Sequence, residues 1–299
     1  MGLVATSYLS KTLDASNRKT WTFSTWLKVP SNIADDQVIF ANSYSASSAN
    51  FMFIGIQNDY ELQVHGYVGG AQKINITSKA VFIDPSSWYH LVVRCDTTQA
   101  TAANRFRMYI NNKLVEAFTS NVIPDQNQDL GLNMNVEHRI GNFAGLNRNF
   151  YGLLAHTHFA DGQSYAPTTF GEYDSTTGEW KAKLTPSVTY GTNGFFLKYE
   201  NAGNFGLDSS GQSNNMATSG TFTQDTDTPS NNFQILDRNK AYTIGNVDHS
   251  GTAYLGTSGA LAGCFGTMYF IDGKWYAEFK PASDRTTADC TTIGIVKNG

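Results

Sequence analysis

Three acidic side chains close together in the sequence, Glu172, Asp174 and Glu179, are the first candidates for catalysis. Hydrolysis of a glycosidic bond uses two carboxylates about 5 Å apart, or farther apart when the reaction inverts the sugar. A β-strand can supply such carboxylates in the pattern Glu-x-Asp-x-x-Glu, because alternate side chains share a face. Glu172-Tyr173-Asp174 lacks the third carboxylate and lies beside a turn. A surface loop is therefore the favoured interpretation, and hydrolysis is kept as the alternative.

Two histidines, His156 and His158, are separated by one residue in a predicted strand. Because successive strand side chains point to opposite faces, both imidazoles are expected on the same side. A structural zinc site takes four ligands, and the sequence offers no third candidate near this pair. Packing or a hydrogen bond is the favoured role, and no metal is predicted.

The loop Gly206-Leu207-Asp208-Ser209-Ser210-Gly211 is the one calcium candidate. Calcium takes six to eight oxygen ligands, often including several carboxylates, whereas Asp208 is the only acidic residue of this loop. An Asx-type turn, in which Asp208 accepts hydrogen bonds from following backbone amides, is the favoured interpretation. No cofactor is expected, and Asp208 is kept as a weak calcium candidate.

Aromatic side chains beside amides in the loop-rich section could bind a carbohydrate, since sugar rings stack on aromatic faces while amides bond the hydroxyls. Burial in the core or in a subunit interface is an equally good interpretation of these aromatics. Trp21, Trp26 and Trp88 lie in strand patterns and are predicted to be core residues. The carbohydrate-binding candidates are Tyr173, Trp180, Tyr190 and Asn193.

Composition narrows the class of partner. Charged residues make up 15% of the chain and the net charge is −4, with no run of Lys or Arg. Nucleic-acid binding requires a basic patch that displaces counterions, so no nucleic-acid partner is expected. No apolar run approaches the ~20 residues that cross a bilayer, so no membrane partner is expected either.

The cysteines and the first residues indicate the compartment. Cys95, Cys264 and Cys290 are too few and too scattered for a disulfide framework, so free thiols are expected. The start of the sequence has neither a basic region nor a sustained apolar stretch, and no secretory signal is predicted. A neutral, Gly-, Ser-, Thr- and Asn-rich surface favours a protein displayed outside a cell or on a particle, although the same composition also fits any Gly- and Thr-rich β protein.

The coarse pattern predicts an all-β protein. About a dozen short runs alternate apolar and polar residues, and turn residues separate them, which is typical of a β-sandwich or jelly roll. One short helix is predicted around 167–173, where Pro167 begins it. The polar segment 222–232 contains Pro229 and is predicted to be a linker. We therefore expect a first domain at 1–221 and a second, smaller β module at 233–299.

Several motifs together resemble the concanavalin A-like, laminin-G-type jelly-roll domains of tailed-phage structural proteins, especially marine ones. They are the opening Asn17-Arg18-Lys19-Thr20-Trp21, the corner Phe159-Ala160-Asp161-Gly162, Tyr190-Gly191-Thr192-Asn193-Gly194 and Asp208-Ser209-Ser210-Gly211. The second module resembles the start of a SPRY-type β-sandwich at Gly273-Lys274-Trp275-Tyr276-Ala277-Glu278-Phe279. Since 67 residues follow the linker, too few for a whole SPRY sandwich, a partial module is expected.

The resemblance implies a non-enzymatic virion protein, such as a head fibre, a decoration protein or a tail-fibre component. Its expected partners are capsid or tail proteins, copies of itself (a trimer being the first guess) and host-surface glycans. Its expected location is the virion, after assembly in the host cytoplasm. A polysaccharide-degrading hydrolase is the alternative function, and a purely architectural module is a third.

Overall fold

The computed structural model describes residues 1–3, 6–30, 33–42, 49–144, 146, 148–232, 236–237 and 265–266. In these ranges the chain is almost entirely β, with a four-residue helix α1 (Ala102–Arg105) and a 3-10 turn (Pro167–Thr169). The all-β jelly-roll prediction is confirmed. Within the described ranges, no helix has the length and apolar character required to span a membrane.

Sheet I has eight strands, which pair in the order β10-β9-β8-β3-β15-β1-β20, with β18 beside β15. Every described pairing in it is antiparallel, and several join strands that are far apart in the sequence, such as β3 with β8 and β15. Its strands are β1 (Gly2–Leu3), β3 (Thr20–Lys28), β8 (Tyr89–Asp96), β9 (Phe106–Ile110), β10 (Lys113–Leu114), β15 (Leu153–Asp161), β18 (Phe195–Leu197) and β20 (Phe222–Thr223).

Sheet II has ten strands in the order β11-β7-β6-β5-β4-β12-β2-β19, with β14 beside β4 and β13 beside β14. A separate hairpin joins β16 (Gly171–Tyr173) to β17 (Trp180–Ala182), and β21 (Leu236–Asp237) pairs with β22 (Phe265–Gly266). The strands of sheet II are β2 (Tyr8–Thr12), β4 (Gln37–Asn42), β5 (Phe51–Ile56), β6 (Glu61–Val68), β7 (Ala71–Val81), β11 (Phe118–Val122), β12 (Glu137–Ile140), β13 (Asn142–Phe143), β14 (Arg148–Asn149) and β19 (Ala217–Ser219).

The main core lies between the two sheets. Phe23 of β3 stacks on Phe40 of β4 with ring centroids 5.0 Å apart, and Phe159 of β15 lies 5.5 Å from Phe40. All three side chains are fully buried, and offset aromatic pairs of this kind add to the free energy gained by burying their area. Trp21, which belongs to this core, and Trp26 and Trp88, on the opposite face of sheet I, are buried as predicted.

The hairpin of β16 and β17 covers part of the outer face of sheet I. Trp180 and Ala182 pack there against a second apolar cluster that includes Trp26 and Trp88. Gly171 lies directly beneath Trp180, because a Cβ at this glycine would come within 2.4 Å of the indole ring. The predicted helix at 167–173 is therefore wrong in extent: a 3-10 turn ends at Thr169 and a strand begins at Gly171.

The segment 222–232, predicted as a linker, makes several contacts with the first unit. Phe222 and Thr223 pair with Leu3 and Gly2 to form an edge of sheet I, and Asp227 is buried. The domain boundaries remain a prediction, since β21 and β22 are all that is described beyond residue 232. The second β module expected at 233–299, with its SPRY-like motif at 273–279, lies outside the described residues except for positions 236–237 and 265–266.

Candidate functional site

The outer face of sheet II carries a row of aromatic side chains over strands β5 and β6. Met52 and Ile54 of β5 and Val64 of β6 belong to the main core. Since strand side chains alternate, the residues between them point to the opposite face of the sheet. The rings on this side of the sheet, which we call the aromatic face, are the partly exposed Phe51, His65 and Tyr67 with the buried Phe53 and Phe143 beneath them.

The register of strands β5, β6 and β7 arranges this surface as parallel rows. Phe51 lies opposite Tyr67, which lies opposite Gln72. The next row is Phe53, His65 and Asn75. A third row follows with Gln63 opposite Thr77. Each of these rows therefore runs from β5 or β6 to an amide or hydroxyl group on β7. We call Gln63, Gln72, Asn75 and Thr77 the polar border.

The rings of the aromatic face contact one another closely. Phe51 stacks on Tyr67 with centroids 5.1 Å apart, and Phe53 meets His65 edge-on at 5.7 Å. Phe143 lies 5.5 Å from Phe53 and packs with it in an apolar cluster beneath the surface. Phe51, His65 and Tyr67 are partly exposed, so solvent reaches their outer sides. These contacts hold the rings in place and leave a partly apolar surface on the sheet.

The polar border is oriented by hydrogen bonds between side chains. The Gln63 amide donates to Asn75 Oδ1 at 3.2 Å and to Thr77 Oγ1 at 3.4 Å. The Gln72 amide group lies 3.1 Å from His65 Nε2. Burial, and then the nearby Arg148 charge, lower the pKa of His65 below its ordinary value, so this ring is neutral at pH 7 and its Nε2 can accept from Gln72. Gln63 and Thr77 are buried, so the neutral donors and acceptors that the border presents to solvent belong to Gln72 and Asn75.

Charged groups at the edge of the aromatic face are paired. Arg148 forms an ion pair of 3.1 Å with Asp36 and lies over the Phe53 ring at 5.7 Å. On β12, Arg139 bonds Glu137 at 2.6 Å and lies over the Tyr8 ring at 4.1 Å. No position in the three rows is Asp or Glu, so the rows contain no pair of carboxylates for hydrolysis.

Two of the sequence-predicted carbohydrate residues lie on the hairpin over sheet I. Tyr173 is 54% exposed and meets Trp180 edge-on at 4.9 Å. Trp180 stacks on His90 at 5.9 Å and donates its indole N–H to His90 Nδ1 at 3.0 Å. On its other side His90 stacks on Trp26 at 4.8 Å. The Trp180 ring therefore anchors the hairpin, which leaves Tyr173 as the more accessible ring.

The other two predicted residues, Tyr190 and Asn193, are buried. The Tyr190 hydroxyl lies 2.9 Å from His158 Nδ1. The Asn193 amide donates to the Asp14 carbonyl oxygen at 2.7 Å and accepts from the Asp14 N–H at 3.1 Å. Asp161 accepts from the Asn193 N–H at 3.2 Å, so the Phe-Ala-Asp-Gly corner ties two loops together. These contacts are structural, and a sugar-binding role for either residue stays a prediction.

The histidine pair is interrupted by a β-bulge. The register of β15 against β3 shifts between Ala155 and His158, and His156 has a positive φ of 47°. Strict alternation therefore does not apply at this pair. His158 is buried, bonded to Tyr190 and stacked on Phe196 at 3.9 Å, which confirms the interpretation as packing and hydrogen bonding. Among the described residues, no three His, Cys, Asp or Glu side chains are grouped to hold a metal.

Of the three acidic candidates, Asp174 has structural partners. Asp174 accepts from the Lys181 ammonium at 2.8 Å and from the Thr176 and Thr177 amides, and these bonds lower its pKa. A general acid requires a raised pKa, the opposite shift. Glu172 and Glu179 are exposed beside it.

Asp208 forms the predicted Asx turn. It accepts from the Ser210 N–H at 2.9 Å and also from the backbone of Phe196 and Asn214. With the Ser210 hydroxyl as a fourth donor at 2.7 Å, both carboxylate oxygens are already hydrogen-bonded. A calcium role for Asp208 stays untested.

The family is established by sequence comparison. Residues 5–163, more than half of the 299-residue chain, match the model of the concanavalin A-like lectin/glucanases superfamily. The chain belongs to this family, as its motifs predicted. Because the family includes both lectins and glucanases, membership alone does not decide between binding and hydrolysis. No curated protein sequence matches the chain.

Several solved structures are similar in fold. A heptameric SAP-like pentraxin from Limulus polyphemus is 14% identical, with 63% of this chain and 92% of that one covered and a TM-score of 0.42. The CBM40 of a Ruminococcus gnavus IT-sialidase bound to α2,3-sialyllactose is 11% identical, with 56% and 92% covered and a TM-score of 0.37. Domain 4 of a GH43 arabinanase from Geobacillus stearothermophilus, in complex with arabinotriose, is 15% identical, with 51% and 65% covered and a TM-score of 0.37.

The aromatic face was missed by sequence reasoning, although its strands were predicted. Phe51 and Phe53, and likewise His65 and Tyr67, stand two residues apart. Ring-bearing side chains at every second position of adjacent strands are the signal that could have found it. That signal is ambiguous without the fold, because the same spacing also describes a core-facing strand.

Proposed function

We propose that this chain is a non-enzymatic attachment protein that binds glycans on the aromatic face of sheet II. The observation that carries the proposal is the pair of partly exposed rings, Phe51 and Tyr67, bordered by Gln72 and Asn75. A sugar stacks its C–H surface on such rings, while amides bond its hydroxyl groups.

Binding is favoured over hydrolysis by the chemistry of the described groups. Hydrolysis requires two carboxylates facing one cleft, one of them with a raised pKa. The aromatic face has no acidic residue in its rows, and Asp174 has a lowered pKa because Lys181 bonds it. The hydrolase alternative would be restored by steady release of reducing sugar from a glycan, lost on Glu172→Gln.

The finer proposal is that the protein is part of a tailed-phage particle and contacts host-surface glycans or other virion proteins. It is supported by the resemblance of the motifs, and an open, shallow face fits weak binding that multivalent display strengthens. A homo-oligomer, with a trimer as the first guess, belongs to the same proposal. Mass spectrometry of purified virions tests it: several copies of the chain per particle are expected, and absence from the particle contradicts it.

A glycan array followed by calorimetry tests the binding site. The array presents neutral and acidic oligosaccharides, and the strongest ligand is titrated into the unaltered protein and into Tyr67→Ala. We expect the variant to bind about tenfold more weakly, a loss of about 1.4 kcal/mol. Tyr173→Ala is the matched control, because it removes an exposed ring of the same type from the hairpin.

The outcomes separate the possibilities. Loss of binding in Tyr67→Ala with unchanged binding in Tyr173→Ala supports the aromatic face. The reverse pattern places the site on the hairpin and overturns the proposed face. An array without any bound glycan at high protein concentration favours the purely architectural module.

A further inference from the structure

A lysine and an aspartate meet in a buried position on the outer side of sheet I. Lys28 Nζ lies 2.5 Å from Asp227 Oδ2, and their side chains are only 3% and 2% exposed. Lys28 ends strand β3, whereas Asp227 follows β20, so the contact joins positions 199 residues apart. A charge pair so deeply buried loses its hydration, which offsets much of the attraction between the ions.

The surroundings of this pair are aromatic and apolar. The Trp88 indole N–H donates to the other oxygen of the same carboxyl, Asp227 Oδ1, at 2.7 Å. The Lys28 ammonium group lies 5.9 Å from the centre of a Trp88 ring. Leu153, opposite Lys28 in the sheet, packs with Trp26 and Trp88 in one apolar cluster. Water is therefore largely excluded from the Lys28 ammonium group and the Asp227 carboxylate.

Burial favours the uncharged form of the Lys28 side chain. Burial lowers the pKa of Lys28, while the bond to Asp227 and the charges of Asp227, Asp225 and Asp84 act in the opposite direction. Transfer of one proton from the ammonium to the carboxylate converts the ion pair into a neutral amine and a neutral carboxylic acid. An apolar site stabilises that neutral pair relative to the ions.

We propose that Lys28 and Asp227 are joined by an intramolecular isopeptide bond, formed when the ε-amine condenses with the side-chain carboxyl group. The amine nitrogen lies against the carboxyl group, whose carbon is one bond beyond the contacting oxygen. Two reacting groups held in contact have a large advantage over groups that meet by diffusion.

The step balances without any further reactant. The lone pair of the neutral Nζ attacks Asp227 Cγ, and the developing charge on Oδ1 is stabilised by the Trp88 N–H. The nitrogen then releases a proton, and Oδ2, already protonated, accepts it and leaves as water. One C–N bond forms, one C–O bond breaks, and the chain loses the mass of one water molecule.

Such a bond would fasten the segment after β20 to the centre of sheet I. Lys28 belongs to β3, which pairs with both β8 and β15. A force that pulls on the chain beyond Asp227 would then reach sheet I through a covalent bond. This consequence does not depend on the proposed glycan site.

Intact-mass spectrometry of the unaltered chain under denaturing conditions tests the proposal. The protein is first shown to be folded by near-ultraviolet circular dichroism and is kept at neutral pH until its mass is constant. We expect the mass calculated from the sequence minus one water molecule. Trypsin does not cleave at an acylated lysine, so the digest should contain residues 20–73 linked to residues 199–238.

Lys28→Arg is the matched control, because it keeps a positive charge but removes the primary amine. Its mass should equal the calculated value, with no linked peptide. A full mass for the unaltered chain, with residues 20–28 and 199–238 as separate peptides, overturns the proposal and leaves an ion pair. Loss of water without the linked peptide overturns it as well.

Discussion

The outer faces of the two sheets differ in what covers them. On sheet I, the hairpin and the segment around Asp227 lie over the strands, so Ser24, His90 and Lys28 are buried with protein partners. On sheet II, Phe51 and Tyr67 keep solvent-accessible sides beside the polar border. Both faces follow the same alternation along their strands. Whether a face is available to a ligand therefore depends on whether segments from elsewhere in the sequence pack over it.

The largest expected effect comes from removing Asp227, the group to which the buried Lys28 side chain is bonded. Asp227→Ala removes the partner of a buried Lys28 and should lower the free energy of unfolding by about 3–5 kcal/mol. Urea denaturation followed by tryptophan fluorescence measures it. A loss below about 1 kcal/mol, typical of a surface substitution, would contradict the account of sheet I.

The second largest loss of stability is expected when the Trp180 ring is removed from the hairpin. Trp180→Ala loses the stack on His90 and its hydrogen bond, and should cost about 2 kcal/mol because the ring is only partly buried. Thermal unfolding measures the loss. Tyr173→Ala serves as the control and should change stability by no more than about 0.5 kcal/mol. Equal losses in both variants would show that Trp180 does not anchor the hairpin.

Acid should destabilise the protein through buried histidines on both sheets. Burial lowers the pKa of His90 to about 3 and that of His138 to about 4. Below pH ~6.5 the unfolded chain takes up these protons while the native protein does not. Each group therefore removes up to about 1.4 kcal/mol per pH unit, from pH ~6.5 down to its native pKa.

Denaturation at a series of pH values, with His138→Gln as the comparison, checks this dependence. The variant should show a shallower decline of stability between pH ~6.5 and pH ~4, because one titrating group is absent. Identical slopes for the two proteins would contradict it.

The smallest expected effect on stability comes from a substitution on the aromatic face. Tyr67→Ala should cost less than about 1 kcal/mol, because its ring is partly exposed and stacks chiefly on Phe51. Chemical denaturation measures this, alongside the tenfold loss of glycan binding. If Tyr67→Ala unfolds the protein, Tyr67 is a packing residue, and its loss of glycan binding would no longer support the aromatic face.

Much of the fold was predictable, because strand alternation and turn residues are local signals. Asn111 and Asn112, with φ of 48° and 65°, make the kind of turn that their sequence favours. The buried positions of Trp21 and Trp26 followed from their places in strand patterns that alternate apolar and polar residues. The match to the family at residues 5–163 agrees with the resemblance of the motifs.

The candidate site was not predictable in the same way. Tyr190 and Trp180 looked accessible because they stand in loop-like sequence, yet His158 and His90 contact them across long sequence separations. Conversely, Phe51 and Tyr67 looked like ordinary strand residues. Only the pairing of distant segments, such as Asp227 with Lys28, decides which face is covered.

The most direct test of the central claim is amide hydrogen exchange with and without the strongest glycan from the array. The account predicts slower exchange at β6 and β7, residues 61–81, with no change at the hairpin, residues 171–182. Slower exchange only at the hairpin, with exchange at residues 61–81 unchanged, would contradict the assignment of the aromatic face as the glycan-binding surface.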